Sequence, residues 1–261
     1  MWGPLDIRTD TCLNIKLERL SVHVQRLGDE WLFAHSYADP DQDANEHEDT
    51  VVDSSEPPEE TSWLRFVNTR EESLELTPVL PDRPLVIRPE SPISIFPERF
   101  ARFYVSVPVW LRFTAVHGVS RTDIIDIPSR MLSNTWFGDP AGGELCYSLD
   151  APLRRTPDNL YFESSSVTCV LVVRNSSSEK LNFERIRVHV ENLSIFEENE
   201  KFWTNEIKVV YKGADQVSQI DIMDRPSDDL HDARKIADPR VIPDRNILRR
   251  SYTFFRHITG F

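Results

Sequence analysis

The stretch "FYVSVPVWLRF", residues 103–113, decides the fold class. Phe103, Val105, Val107, Val109, Leu111 and Phe113 occupy every second position, with Tyr104, Ser106, Trp110 and Arg112 between them. A period of two puts all six apolar side chains on one side of an extended chain, which a helical period does not do. Pro108 has no N–H to give a ladder, so this strand is expected at a sheet edge or bulged near its middle.

The same alternation extends outward in both directions. "LSVHVQRL" (20–27) is followed by Gly28-Asp29 and "EWLFAHS", which reads as a hairpin over residues 20–35. "PLVIRPESPISIFPE" (84–98) reads as two or three short strands between prolines, and "VHGVSRTDIIDIPSRMLS" (116–133) as a segment with a short helix ended by Pro128. "TWF" and "ELCYSL" read as strands joined by "GDPAGG" (138–143), whose glycines supply positive φ. Further strands are expected in "VTCVLVVRN" (167–175), in "ERIRVHVEN" (184–192) with Ile186, Val188 and Val190 inward, and in "NEIKVVYKGADQVSQIDI" (205–222), turning near Lys212 to Asp215. Eighteen prolines against eight glycines suit short strands with rigid ends. The expectation is an all-β chain of two tandem β-sandwich, immunoglobulin-like domains, residues 1–130 and 131–224, with a basic amphipathic tail at 225–261 carrying a short helix.

Charge is unevenly distributed. The net charge is −13, but residues 39–60 hold ten acids and no Lys or Arg, so the remaining chain has 33 acids against 30 bases. That acidic insertion, with Pro57-Pro58 and few apolar groups, is expected to be disordered. The opposite bias lies at the other end, where residues 234–257 hold seven bases and two acids. There Ile247, Leu248, Phe254, Phe255 and Ile258 can form an apolar helix face while Arg245, Arg249 and Arg256 stay wet. Cys12, Cys146 and Cys169 are widely spaced in alternating stretches, which suits buried thiols of a reducing cytoplasm. The longest apolar runs fall far short of the ~20 residues of a spanning helix, and no charged-then-apolar leader follows Met1.

Motifs of catalysis are sparse. G-x-S-x-G, G-x-G-x-x-G and the phosphate loop ending in G-K-[ST] do not occur. "SSEK" (177–180) matches S-x-x-K by chance in a polar loop, without its companion motifs. The seven histidines show neither i, i+4 pairing nor zinc spacing with cysteine, and His189 reads as part of a solvated strand face with Arg185 and Arg187. No metal or cofactor is expected. "GDPAGGE" with Arg154 and Arg155 could cradle an anion, but reads first as a turn beside two surface arginines.

"MWGPLDI" (1–7) and "IPSRMLSNTWFGDPAGGELCYSL" (127–149) resemble the corresponding stretches of a family of uncharacterised, mainly archaeal proteins, domain-of-unknown-function family 432. The resemblance carries no catalytic residues. It implies a cytosolic accessory role, since genes of the family often lie beside a gene for a small-conductance mechanosensitive channel.

Together these readings define a non-enzymatic cytoplasmic interaction protein. It is expected to act through sandwich edges and the tail, with at most a peripheral place at the inner face of the membrane, and the resemblance implies regulation of a membrane channel. The binding residues expected are Trp136, Arg154, Arg155, Arg245, Arg249, Arg250, Phe254 and Phe255. The expected partner is a protein, an integral membrane channel or a second copy. Nucleic acid is not expected, and any membrane contact is peripheral. The competing reading is a carbohydrate or small-ligand binding protein, or a hydrolase, with Trp110, Trp136 and paired carboxylates lining a cleft.

Overall fold

The computed structural model describes residues 1–7, 11–39, 50–54, 62–67, 73–157, 164–213 and 218–242. Among these the chain is all β, with no α-helix. It forms two compact units: Met1–Val79 with Val109–Arg130 (unit 1), and Leu80–Pro108 with the chain from Met131 onward (unit 2).

Followed along the chain, unit 1 begins with β1 (Gly3–Leu5), β2 (Cys12–Leu17), β3 (Leu20–Leu27), β4 (Glu30–Tyr37), β5 (Thr50–Ser54), β6 (Leu64–Val67) and β7 (Ser73–Val79). Unit 2 then receives β8 (Leu85–Arg88), β9 (Ile93–Ile95) and β10 (Phe100–Pro108). The chain returns to unit 1 for β11 (Trp110–His117) and β12 (Ser120–Pro128). It finishes unit 2 with β13 (Ser133–Phe137), β14 (Glu144–Asp150), β15 (Ser166–Asn175), β16 (Leu181–Phe183), β17 (Ile186–Val188), β18 (Ile195–Glu198), β19 (Lys201–Tyr211), β20 (Gln219–Ile222) and β21 (Arg234–Ala237).

Residues 103–113 are therefore two strands. All six alternating apolar residues are buried, but Pro108 ends β10 and the chain passes there from one unit to the other. The boundary expected near residue 130 is the last of three crossings, and residues 80–108, placed in the first domain by sequence, belong to unit 2. Alternation reports which face is buried and carries no information on which sheet does the burying.

Unit 1 is a sandwich of antiparallel sheets, ordered β1-β7-β11-β12 and β5-β2-β3-β4-β6. Its core joins Leu13, Ile15 and Leu17 of β2, Val22 and Val24 of β3 and Phe33 of β4 to Leu74, Leu76, Leu111, Phe113 and Ile127 of the other sheet. Phe33 meets Phe113 edge-on, ring centroids 5.0 Å apart. The β3–β4 hairpin turns at Gly28, φ 59, as the sequence indicates. Two expectations are corrected here. The short helix before Pro128 is instead β12, paired with β11. A bulge between Phe113 and Thr114 skips one residue in this ladder, so the isoleucines of "DIIDI" lose strict alternation and mimic a helical spacing. Residues 50–54 of the acidic insertion form β5 against β2, because "TVV" is a β-branched island among the acids. The rest of that insertion, residues 40–49 and 55–60, lies outside the described residues.

Unit 2 holds a sheet ordered β10-β15-β19-β18-β21, with β20 also on β19, a sheet β13-β14-β8-β17, and the pair β16-β9. The β15–β19 and β14–β8 ladders are parallel. β18 and β20 share one side of β19. Asn205 fills the gap between them: its Oδ1 accepts from Ser194 N (2.6 Å) and its Nδ2 donates to Met223 O (2.7 Å). The tail expected from residue 225 starts later. β21 pairs with β18, Glu206 N donates to Arg225 O, and Val241 N donates to Glu191 O. Basic and proline-rich composition hid a four-residue edge strand. The expected tail helix falls in residues 243–261, outside the described residues.

Candidate functional site

The β13–β14 hairpin of unit 2 carries a closely tied set of contacts. Its turn, residues 138–143, is organised by Asp139. The Asp139 carboxylate accepts from Ala141 N (3.0 Å) and Gly142 N (2.7 Å), and its carbonyl accepts from Gly143 N (2.8 Å) and Trp136 Nε1 (3.0 Å). The turn's amides thus serve the chain's own aspartate, which overturns the anion-cradle reading. Gly138 needs its φ of 116, and a Cβ there would stand 2.6 Å from Gly143 Cα. A Cβ on Gly143 would stand 2.3 Å from Trp136 Nε1 and 2.7 Å from Asp139 O. Glycine is required at both places by close approach, and the indole is the lid of the turn.

On one face of the hairpin Trp136 stands opposite Leu145, and both are about half exposed. Two residues along, Asn134 stands opposite Tyr147. Arg83 donates to Asn134 Oδ1 (3.2 Å) and lies over the Tyr147 ring (5.3 Å), and Tyr147 OH donates to Asp82 (2.9 Å). This is an apolar pair with a polar rim. β13 is the edge of its sheet. Its sequence, "SNTWF", has no charge or proline, and its ladder has no bulge; those are the usual devices that keep an edge from pairing.

The other face is buried at Phe137 and Cys146. Phe137, Cys146 and Val86 cluster there. The guanidinium carbons of Arg187 and Arg185 lie 5.1 and 5.5 Å from the Phe137 ring centroid. Arg187 Nη1 pairs with Glu144 Oε2 at 2.9 Å, His189 Nδ1 lies 2.7 Å from Glu191 Oε1, and His189 Nε2 lies 3.7 Å from Glu144 Oε2. The solvated face expected for Arg185, Arg187 and His189 is thus an almost closed ionic lattice, with the Arg187 and His189 side chains only 11% exposed. The i, i+2 series Arg185, Arg187, His189, Glu191 was visible in sequence; its partner Glu144, on a distant strand, was not. Burial, reinforced by Glu144 and opposed by Arg187, pushes the Cys146 thiol up to about 11. At neutral pH it is a thiol and not a nucleophilic thiolate.

The remaining expected residues are scattered. Arg154 exchanges backbone bonds with Tyr104 (2.9 and 3.0 Å), closing part of the β10 edge, and the Arg155 guanidinium lies 5.1 Å over Phe103. They serve the larger sheet and not the one holding Trp136. Trp110 lies on β11 of unit 1, apart in the chain's organisation from Trp136 of unit 2. Arg245, Arg249, Arg250, Phe254 and Phe255 lie outside the described residues. Ser177, of the S-x-x-K match, donates to Asn175 Oδ1 (2.7 Å) and Glu179 O (3.0 Å), as a turn residue does. Among the described residues no cluster of His, Cys, Asp and Glu could hold a metal, and no helix is long and apolar enough to cross a membrane.

Fold and site define an all-β sandwich protein with a rigid, uncharged, aromatic sheet edge. The chain belongs to the family described as "Protein of unknown function (DUF432)", whose model matches residues 1–256, as the resemblance in "MWGPLDI" and residues 127–149 implied. No curated protein matches it, and no solved structure matches it.

Proposed function

We propose that this chain is an accessory interaction protein that captures a protein partner by strand addition along β13, with Trp136 and Leu145 as the apolar anchor. The observation that carries this reading is an edge undefended among the described residues: five uncharged residues, one of them the half-exposed Trp136, held in place by the Asp139 turn and backed by the Arg187–Glu144 lattice. Main-chain pairing supplies affinity in this mode and side-chain contacts supply selectivity. Burying the exposed halves of Trp136 and Leu145 contributes about 1–2 kcal/mol each before ordering costs. Three buried cysteines, none in a disulfide, support a cytoplasmic setting. The partner to test first is an integral membrane channel, as the family resemblance implies.

The test is a pull-down from the native membrane fraction with the wild type, Trp136→Ala and Leu145→Glu. Recovery of one integral membrane protein by the wild type and its loss with both folded variants is the expected result. Equal recovery by Leu145→Glu, whose new charge sits on the proposed anchor, refutes the reading.

A further inference from the structure

The turn between β9 and β10, "FPER" followed by Phe100, is a second exposed apolar feature and is independent of the hairpin edge. Phe96 and Phe100 flank it, 65% and 70% exposed. The turn is closed by Arg99 N donating to Phe96 O, with Glu98 at φ 55. It is not a loose loop. Asn175, wholly buried at the end of β15, donates from its backbone to Arg99 O (2.8 Å) and from Nδ2 to Ile95 O (2.9 Å) and Glu179 O (2.7 Å). Its Oδ1 accepts from Ser177 N (3.0 Å) and Oγ (2.7 Å). One buried amide therefore fixes both the aromatic turn and the neighbouring loop, residues 175–180.

The charged residues at this end of unit 2 are predominantly basic in a chain whose net charge is −13. Arg174 stands opposite Phe100 in the ladder, with Glu98 at 3.7 Å. Arg99 lies within the turn, Lys180 follows Glu179 in the tied loop, and Lys212 follows Tyr211, whose carbonyl accepts from Ser176 N. Among the described residues of the turn and the strand ends and loop tied to it, the cations are Arg99, Arg174, Lys180 and Lys212 and the acids Glu98 and Glu179; Asp215 lies outside those residues.

We propose that this turn is a membrane-surface anchor: Phe96 and Phe100 enter the interfacial region of a bilayer while Arg99, Arg174, Lys180 and Lys212 lie against anionic headgroups. Rigid exposed aromatics inside a cationic rim match such a surface in both its apolar and its charged layers. A protein groove would match the rings but gives no reason for the excess of positive charge.

The experiment is flotation of the full chain with vesicles of phosphatidylcholine alone and of phosphatidylcholine with phosphatidylglycerol. The expected result is binding to the mixed vesicles, lowered roughly tenfold or more by Phe96→Ser with Phe100→Ser. Arg99→Gln with Lys212→Gln should lower it roughly fivefold to thirtyfold and flatten its salt dependence. Both pairs are exposed, so thermal melts should match the wild type. Trp136→Ala should bind vesicles like the wild type, which separates this proposal from the hairpin-edge reading. Absence of vesicle binding, equal binding to neutral vesicles, or undiminished binding by the double serine variant each overturns the proposal. The last result would place any membrane contact elsewhere in the chain.

Discussion

Gly143→Ala tests the hairpin at its tightest point. The backbone of Gly143 is not in the left-handed region, so the cost is purely one of space. The new methyl would meet Trp136 Nε1 at 2.3 Å, Trp136 Cε2 at 2.7 Å and Asp139 O at 2.7 Å. The indole must swing out, and it gives up the 3.0 Å bond to Asp139 O as it does. Overpacking costs about 1–3 kcal/mol, and a partly exposed hydrogen bond adds about 0.5–1 kcal/mol. We expect a loss of about 2–3 kcal/mol, a large share of the roughly 5–15 kcal/mol by which a protein is stable. Urea denaturation followed by tryptophan fluorescence measures it, and a double-mutant cycle with Trp136→Ala locates it. In the Trp136→Ala background two of the three obstructions are gone, so Gly143→Ala should cost roughly half as much or less. Gly142→Ala is the control: the three atoms nearest its Cβ all belong to the Asp139 carboxylate, the first at 3.2 Å. A Gly143→Ala cost below about 0.5 kcal/mol, or one equal in both backgrounds, refutes the packing argument.

Asn175→Ala strips the donor from Ile95 O and Glu179 O and the acceptor from Ser177; a loss of about 2–4 kcal/mol is expected, since buried groups are left unpaired, and chemical denaturation checks it. Arg187→Met should cost about 2 kcal/mol, less than a fully buried pair, because Glu144 retains 39% exposure; the matched Glu144→Gln variant should cost no more. Stability should also fall at both ends of the pH scale. Burial lowers the pKa of His23, aided by Lys16, and of His35, so the folded state favours the neutral rings and stability is lost as pH falls below about 6.5. Burial pushes the Cys146 and Cys169 thiols up to about 11. The stability they contribute is complete below their ordinary value, and it is lost as pH rises from about 9 through 11. Denaturation midpoints across this range, with His35→Gln and Cys169→Ala as controls, measure the two limbs.

Local regularities were legible in the sequence, and pairings across distance were not. The β3–β4 hairpin and the "GDPAGG" turn are decided within a few residues, where alternation and glycine suffice. β12 was misread because one bulged residue is enough to turn a period of two into an apparent period of three or four. Pro108 points to an edge strand or a bulge, and β10 lies at the edge of its sheet, but a proline cannot announce that the next residues enter another sheet. The Glu144–Arg187–His189 lattice joins strands more than forty residues apart in sequence, so the charges of "ERIRVHVEN" looked solvated. Trp136 is visible as a candidate in the sequence, while its unbulged and uncharged edge is apparent only from the sheet order. Phe96 and Phe100 were passed over because alternation explains a phenylalanine most simply as core.

The path of the chain also constrains how such a protein can be inherited. Unit 1 is made of two separated segments and unit 2 of two others, so no single cut in the gene separates one cleanly from the other. Recombination after residue 79 or 130 would leave one unit complete but carrying a piece of the other, and after residue 108 it would divide both. Descent should therefore hold the pair together as one cassette, and the family match across residues 1–256 takes in both.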